Sequence, residues 1–188
     1  MRKPIKAYLI TEPTLYPTTS LKFYDFYLKI IESHPIHFAA YRDKACHFNP
    51  ALIEVFLKLN QKHKIPSLLN SNLDLAIQFG FDGVHCNSSQ MWQIPLAKTK
   101  LPFVFFSAHN LQEMREADKQ GANGITISPI FQTPNKGIPL GIDFLKTLNP
   151  KDFLAEIFAL GGIISQQQLQ QLAQTKIQNF ASIRYFLS

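Results

Sequence analysis

Short runs of β-branched and aromatic residues alternate with helical patterns along the whole chain, and this alternation restricts the fold more than any other feature. The strand-like runs are Lys6–Thr11, Ile36–Arg42, Ser67–Asn70, Gly83–Cys86, Phe103–Ser107, Gly124–Ser128, Glu156–Leu160 and Asn179–Ile183. Between them apolar residues recur at spacings of three and four, as a helix face requires. Phe23, Phe26, Tyr27 and Ile30 share a face in Leu21–Ser33, and Leu52, Val55, Phe56 and Leu59 share one in Ala51–His63. Shorter helices are expected at Leu73–Phe79, near Ser89–Leu96, and at Leu111–Gln120, Asp143–Leu148 and Gln166–Thr175. Strands joined through helices lie parallel, with right-handed crossovers. Eight such units predict a closed (β/α)8 TIM barrel, with an open doubly wound sheet as the alternative. Only Arg184–Ser188 follows the last strand, so the eighth helix is missing or very short. The chain has 188 residues, with no linker or low-complexity stretch, so one nearly insertion-free domain is expected over residues 1–188.

Composition narrows the partners. The net charge is +6, but the lysines (Lys22, Lys29, Lys58, Lys62, Lys98, Lys100 and Lys146 among them) are scattered singly. No basic run is interleaved with aromatics, which argues against a nucleic-acid partner and suits a small anionic, phosphorylated substrate. Cys46 and Cys86 have neither CxxC nor metal-finger spacing and predict free thiols in a reducing compartment. The basic start Met1–Pro4 leads into an apolar run broken by Lys6 and Glu12, too short for a signal peptide or membrane span. A cytoplasmic protein without a membrane partner is expected, and a homo-oligomer is compatible with the sequence.

Barrel enzymes carry their chemistry at the carboxyl ends of the strands. After the second strand, Arg42 and Lys44 bracket Asp43 and can clamp a phosphate or pyrophosphate, or else are incidental charges of a surface loop. After the third, Asn70 can hydrogen-bond a polar ring, while Ser71 or Asn72 caps a helix. His85, at the end of the fourth, reads as a packed structural histidine. After the fifth come Ser107 and His109, and a neutral imidazole at the mouth can move a proton near neutral pH. The Pro/Gly-punctuated stretch Ser128–Gly137 reads as a mobile lid. Gly161 and Gly162 let backbone amides approach a phosphate, or simply make a tight turn.

Together these segments resemble one family. Ala7–Thr11 is similar to the first-strand "YLIT" of thiamine phosphate synthases, and Arg42-Asp43-Lys44 to their Arg-x-Lys motif. Asn70–Ala76 resembles "N-D-x-x-D-L-A", and Phe81–His85 resembles "A-D-G-V-H". Ser107–His109 with Gly121–Gly137 resembles "S-x-H … G-P-I-F-x-T-x-T-K", and Ala159–Ile163 resembles "A-I-G-G-I". The resemblance spans residue 7 to about residue 183. It implies a barrel that binds hydroxyethylthiazole phosphate or a close precursor, with Ser107 among the substrate contacts. Arg42, Lys44, Asn70, Thr133 and Lys136 would hold a pyrimidine pyrophosphate, and Gly161 and Gly162 the thiazole phosphate.

The chain departs from the synthase pattern where that pattern holds Mg2+. The two family aspartates are Ser71 and Gln90 here, and neither is an anionic ligand. Whether Asp43 or Asp74 takes over that role the sequence leaves open. Asn135 replaces a second threonine of the lid, and Arg184 stands where the family has a phosphate-turn serine and can serve as a charged phosphate partner. The sister branch, the TenI-type thiazole tautomerases, is metal-free and uses the histidine of "S-x-H", here His109, as general acid and base. The leading expectation is therefore a tautomerase without a cofactor. A divergent synthase, which alone would call for Mg2+, and a non-catalytic thiazole or thiamine phosphate binder are the alternatives.

Overall fold

The computed structural model describes residues 5–45 and 47–187; the basic start Met1–Pro4, the expected Cys46 thiol and Ser188 lie outside the described residues. Eight parallel strands close into a barrel in sequence order: β1 (Ala7–Ile10), β2 (Phe38–Tyr41), β3 (Ser67–Asn70), β4 (Gly83–Cys86), β5 (Phe103–Ala108), β6 (Gly124–Ile127), β7 (Glu156–Leu160) and β8 (Phe180–Ser182). Closure comes from β8 pairing with β1, where Tyr8 faces Ala181 in register. The open-sheet alternative is thereby excluded. Helices α1 (Ser20–Ser33), α2 (Pro50–His63), α3 (Leu73–Phe79), α4 (Ile94–Lys98), α5 (Leu111–Lys119), α6 (Gly141–Thr147) and α7 (Gln166–Leu172) follow the first seven strands. After β8 comes a 3-10 turn, Tyr185–Leu187, whose Phe186 ring stacks on Phe180 and meets His34 just beyond the end of α1.

Local chemistry explains most boundaries. Asn49, Asn72 and Asn110 each accept a first-turn amide of α2, α3 and α5, satisfying donors that a helix start leaves orphaned. Of the two capping candidates before α3, Asn72 is the cap. Ser165 and Gln168 form a reciprocal capping box on α7. The segment expected as one helix near Ser89–Leu96 is split. Ser88–Gln93 is 3-10, with Gln90 bent out of helical geometry, and α4 restarts at Ile94 with Pro95 in its first turn.

Inside the barrel, large and small residues interlock. Phe105 projects inward from β5, and the neighbouring strand offers Gly124, where an added Cβ would meet the Phe105 ring at 2.6 Å. Across the other edge, a Cβ on Gly83 would meet the Phe103 carbonyl oxygen at 2.4 Å. Tyr8, Phe38, Phe105 and Phe158 fill the interior, and a larger apolar shell lies between strands and helices. Cys86 belongs to that outer shell and is fully buried, and burial pushes its thiol up to about 11, so it is inert. Among the described residues no helix is long and apolar enough to cross a membrane.

Candidate active site at the carboxyl-terminal mouth

The topology brings every site residue expected from sequence to one end of the barrel. Arg42 follows β2, Asn70 ends β3, Ser107 and His109 lie at and just after the end of β5, Thr133 and Lys136 follow β6, Gly161 and Gly162 follow β7, and Arg184 follows β8.

Arg42 is the best-anchored cation. Its backbone amide donates to Thr11 Oγ1 at 2.9 Å, and its guanidinium forms an ion pair with Glu12. Both partners are largely shielded, with side-chain exposures of 16% and 19%. A guanidinium has five N–H donors, so one carboxylate contact orients it and leaves donors for an incoming anion. Sequence reasoning passed over Glu12, whose signal was its position directly after the first strand. Lys44 is exposed on the same loop. The Asp43 carboxylate shapes its own loop, accepting the amides of Ala45 and Phe48 at 2.9 Å each. Asp74 sits exposed in the first turn of α3.

Between β3 and β4 lies a network of neutral groups. Ser71 adopts a left-handed φ of 61°, held from several sides. Its amide donates to His85 O at 2.9 Å, and its carbonyl accepts Gln90 Nε2 at 2.9 Å. Its hydroxyl oxygen accepts from Asn70 at 2.7 Å and from Asn87 at 3.2 Å. Gln90 Oε1 in turn accepts the Asn87 amide at 3.0 Å. Mg2+ prefers hard carboxylate oxygens, and the polar atoms here are neutral and committed to one another, so they do not fit that ion. No cluster of three acidic, histidine or cysteine side chains able to hold a metal exists among the described residues.

Two histidines play different parts. His85 is fully buried, with Nδ1 2.8 Å from Tyr8 Oη and Nε2 2.9 Å from Ser107 Oγ. Burial, reinforced by the charge of Arg42, holds its pKa at about 3, so the ring is neutral. His109 is half-buried, and its Nδ1 lies 2.9 Å from Ser128 O. A carbonyl oxygen only accepts, so Nδ1 bears the hydrogen and Nε2 is the basic nitrogen of the neutral ring. Glu113 fixes this loop by accepting the His109 amide at 2.7 Å and the Asn110 side-chain amide at 2.9 Å.

The loop after β6 is pinned at its base rather than free along its length. Ile130 N donates to Leu160 O and Phe131 N to Gly161 O, while Leu140 and Gly141 return to Pro129 and Ile130. Only the stretch around Asn135–Ile138 stands out, and Ile138 is 94% exposed. This packing gives the double glycine a further role. Gly161 and Gly162 have φ of 98° and 68°, and a Cβ on Gly162 would strike Gln132 O and Phe131 Cβ at 2.6 Å.

Beyond β8 the arrangement differs from expectation. Ser182 Oγ donates to Ile163 O at 2.7 Å and accepts the amides of Arg184 and Tyr185 at 3.2 and 3.1 Å. Those amides are committed to the turn, which leaves the exposed Arg184 side chain for an anion. Hollows of about 390 and 460 Å³ open at the opposite, amino-terminal end, around Lys6, Phe103 and Glu156 and around Asn60, Lys64 and Asp82. Neither includes a mouth residue, and barrel chemistry belongs to the carboxyl-terminal face.

The family described as thiamine monophosphate synthase matches residues 7–186. A thiamine-phosphate synthase of Clostridium acetobutylicum is 28% identical over 137 residues, covering 70% of this chain and 63% of its own length. One from Prochlorococcus marinus is 35% identical over 121 residues, covering 62% of this chain and 34% of its own length. The chain therefore spans less than two thirds of the curated relatives it matches. The solved thiamine phosphate pyrophosphorylase of Pyrococcus furiosus superposes with a TM-score of 0.77 at 20% identity, over 95% of this chain and 85% of that one, a likeness of fold. With a match running from β1 into the final turn, the chain belongs to the thiamine monophosphate synthase family.

Proposed function

We propose that the chain is a thiamine-phosphate synthase-type transferase that joins a pyrimidine pyrophosphate to a thiazole phosphate at the carboxyl-terminal mouth. This reverses the order expected from sequence, where proton transfer led. The names of the curated relatives support the transferase reading. The structural observation that carries it is Arg42, shielded, oriented by Glu12, and with donors left for an anion. In this reading Arg42, Lys44 and Lys136 neutralise the pyrophosphate as the methylene carbon–oxygen bond breaks and the electron pair leaves with it. The thiazole nitrogen forms the new bond to that carbon. Asn70, Ser107 and Thr133 orient the reactants, and the Gly161 and Gly162 amides with Arg184 receive the thiazole phosphate. No carboxylate-held Mg2+ enters, because the Ser71–Asn87–Gln90 network does not suit it.

That same network favours a second reading, a TenI-like thiazole tautomerase in which His109 Nε2 takes and returns a proton. The test is thiochrome fluorescence of thiamine phosphate made by purified protein from the two substrates, with and without Mg2+. Product supports the transferase. No product from folded protein, together with aromatisation of the thiazole carboxylate phosphate that His109→Ala abolishes, would replace it with the tautomerase.

A further inference from the structure

The hydrogen bonds that link Tyr8, His85 and Ser107 have only one self-consistent direction. Tyr8 points into the barrel among the rings of Phe38, Phe105 and Phe158 and is fully buried. Its hydroxyl has one hydrogen to donate, and among the described residues its partner is His85 Nδ1 at 2.8 Å. If Nδ1 carried the ring hydrogen, the Tyr8 hydroxyl would accept it and its own hydrogen would be left without an acceptor in an apolar interior. A buried unsatisfied donor costs about 1–3 kcal/mol. Tyr8 therefore donates and Nδ1 accepts. The neutral ring then bears its hydrogen on Nε2, which donates to Ser107 Oγ at 2.9 Å, with Thr126 Oγ1 a more distant neighbour at 3.4 Å. Having accepted from His85, the half-buried Ser107 hydroxyl has no other acceptor among the described residues, and its own hydrogen can turn toward the mouth.

We propose that Tyr8 and His85 are positioning residues that make Ser107 an obligatory hydrogen-bond donor, so that the mouth selects a ligand presenting an acceptor there, an unprotonated ring nitrogen or an anionic oxygen. The burial that keeps His85 neutral preserves this polarity across the working pH range. The inference deepens the proposed function and rests on ligand binding at the mouth, under either chemistry.

Its first test uses the full, unliganded chain, so it stands or falls separately from the reaction. Long-range 1H–15N correlation of protein labelled at histidine nitrogen, with the His85 signals identified by their loss in His85→Gln, is expected to show Nε2 protonated and Nδ1 bare at about pH 7. The opposite tautomer, or an imidazolium, would overturn the proposal. In Tyr8→Phe the constraint on Nδ1 disappears, and the same spectrum is expected to move toward a mixture of tautomers; an unchanged spectrum from folded variant would count against Tyr8. Ser107→Ala is expected to weaken binding of hydroxyethylthiazole phosphate about tenfold, the scale of one lost hydrogen bond. Unchanged affinity would remove the assigned donor.

Discussion

Arg42 and Gly162 show how far a single side chain at the mouth depends on a neighbour remote in sequence. Arg42 takes its orientation from Glu12, thirty positions away, so Glu12→Ala should leave the cation in place but loose. The expected result is a KM for the pyrimidine pyrophosphate raised about tenfold with an unchanged circular dichroism spectrum. Gly162 has both a left-handed φ of 68° and no room for a Cβ against the β6 loop. Gly162→Ala should cost about 1–3 kcal/mol, read as a lowered urea midpoint, and should loosen the loop above it. The position of Arg42, Asn70, His109 and the glycines at the mouth was legible because it follows directly from the strand ends. Glu12, Ser128 and Ser182 were not, because their roles come from backbone and side-chain contacts that closure alone creates.

Elements follow from local chemistry where the chemistry is local. β3, β4 and β7 lie where their apolar runs predicted, and α3 both begins and ends on residues a helix uses for those purposes, Asn72 and Gly80. The stretch after β4 was misread as one helix because its 3-10 geometry is set by Asn87 and Gln90 reaching back to Ser71 across the neighbouring loop. The stretch expected as a mobile lid is two things: a base bonded to the β7 loop and an exposed tip. Hydrogen exchange should separate them, with the amides of Ile130, Phe131, Leu140 and Gly141 protected and those of Asn135, Gly137 and Ile138 exchanging fast. Asn110 caps α5 and also binds Glu113, which holds the His109 amide. Asn110→Ala should therefore cost about 1 kcal/mol in thermal or urea unfolding, and should reduce turnover more than the same loss of stability caused by Asn72→Ala.

At the scale of the whole molecule, the closed barrel around a neutral histidine gives stability a defined pH dependence. The folded pKa of His85 is about 3, below the usual 6.5, so below pH 6.5 the unfolded chain gains a proton that the folded chain refuses. Stability from this group is complete above that point and declines as pH falls toward 3, by at most about 1.4 kcal/mol per pH unit. Urea titrations should show this slope, and His85→Gln should flatten it. The same barrel has its β3 and β4 loops joined by Ser71, Asn87 and Gln90 without any charged ligand. Its melting temperature should accordingly be indifferent to chelators and to added Mg2+. A mouth stitched with amides acquires its shape when the chain folds, because the ties between these two loops are made of the chain's own side chains.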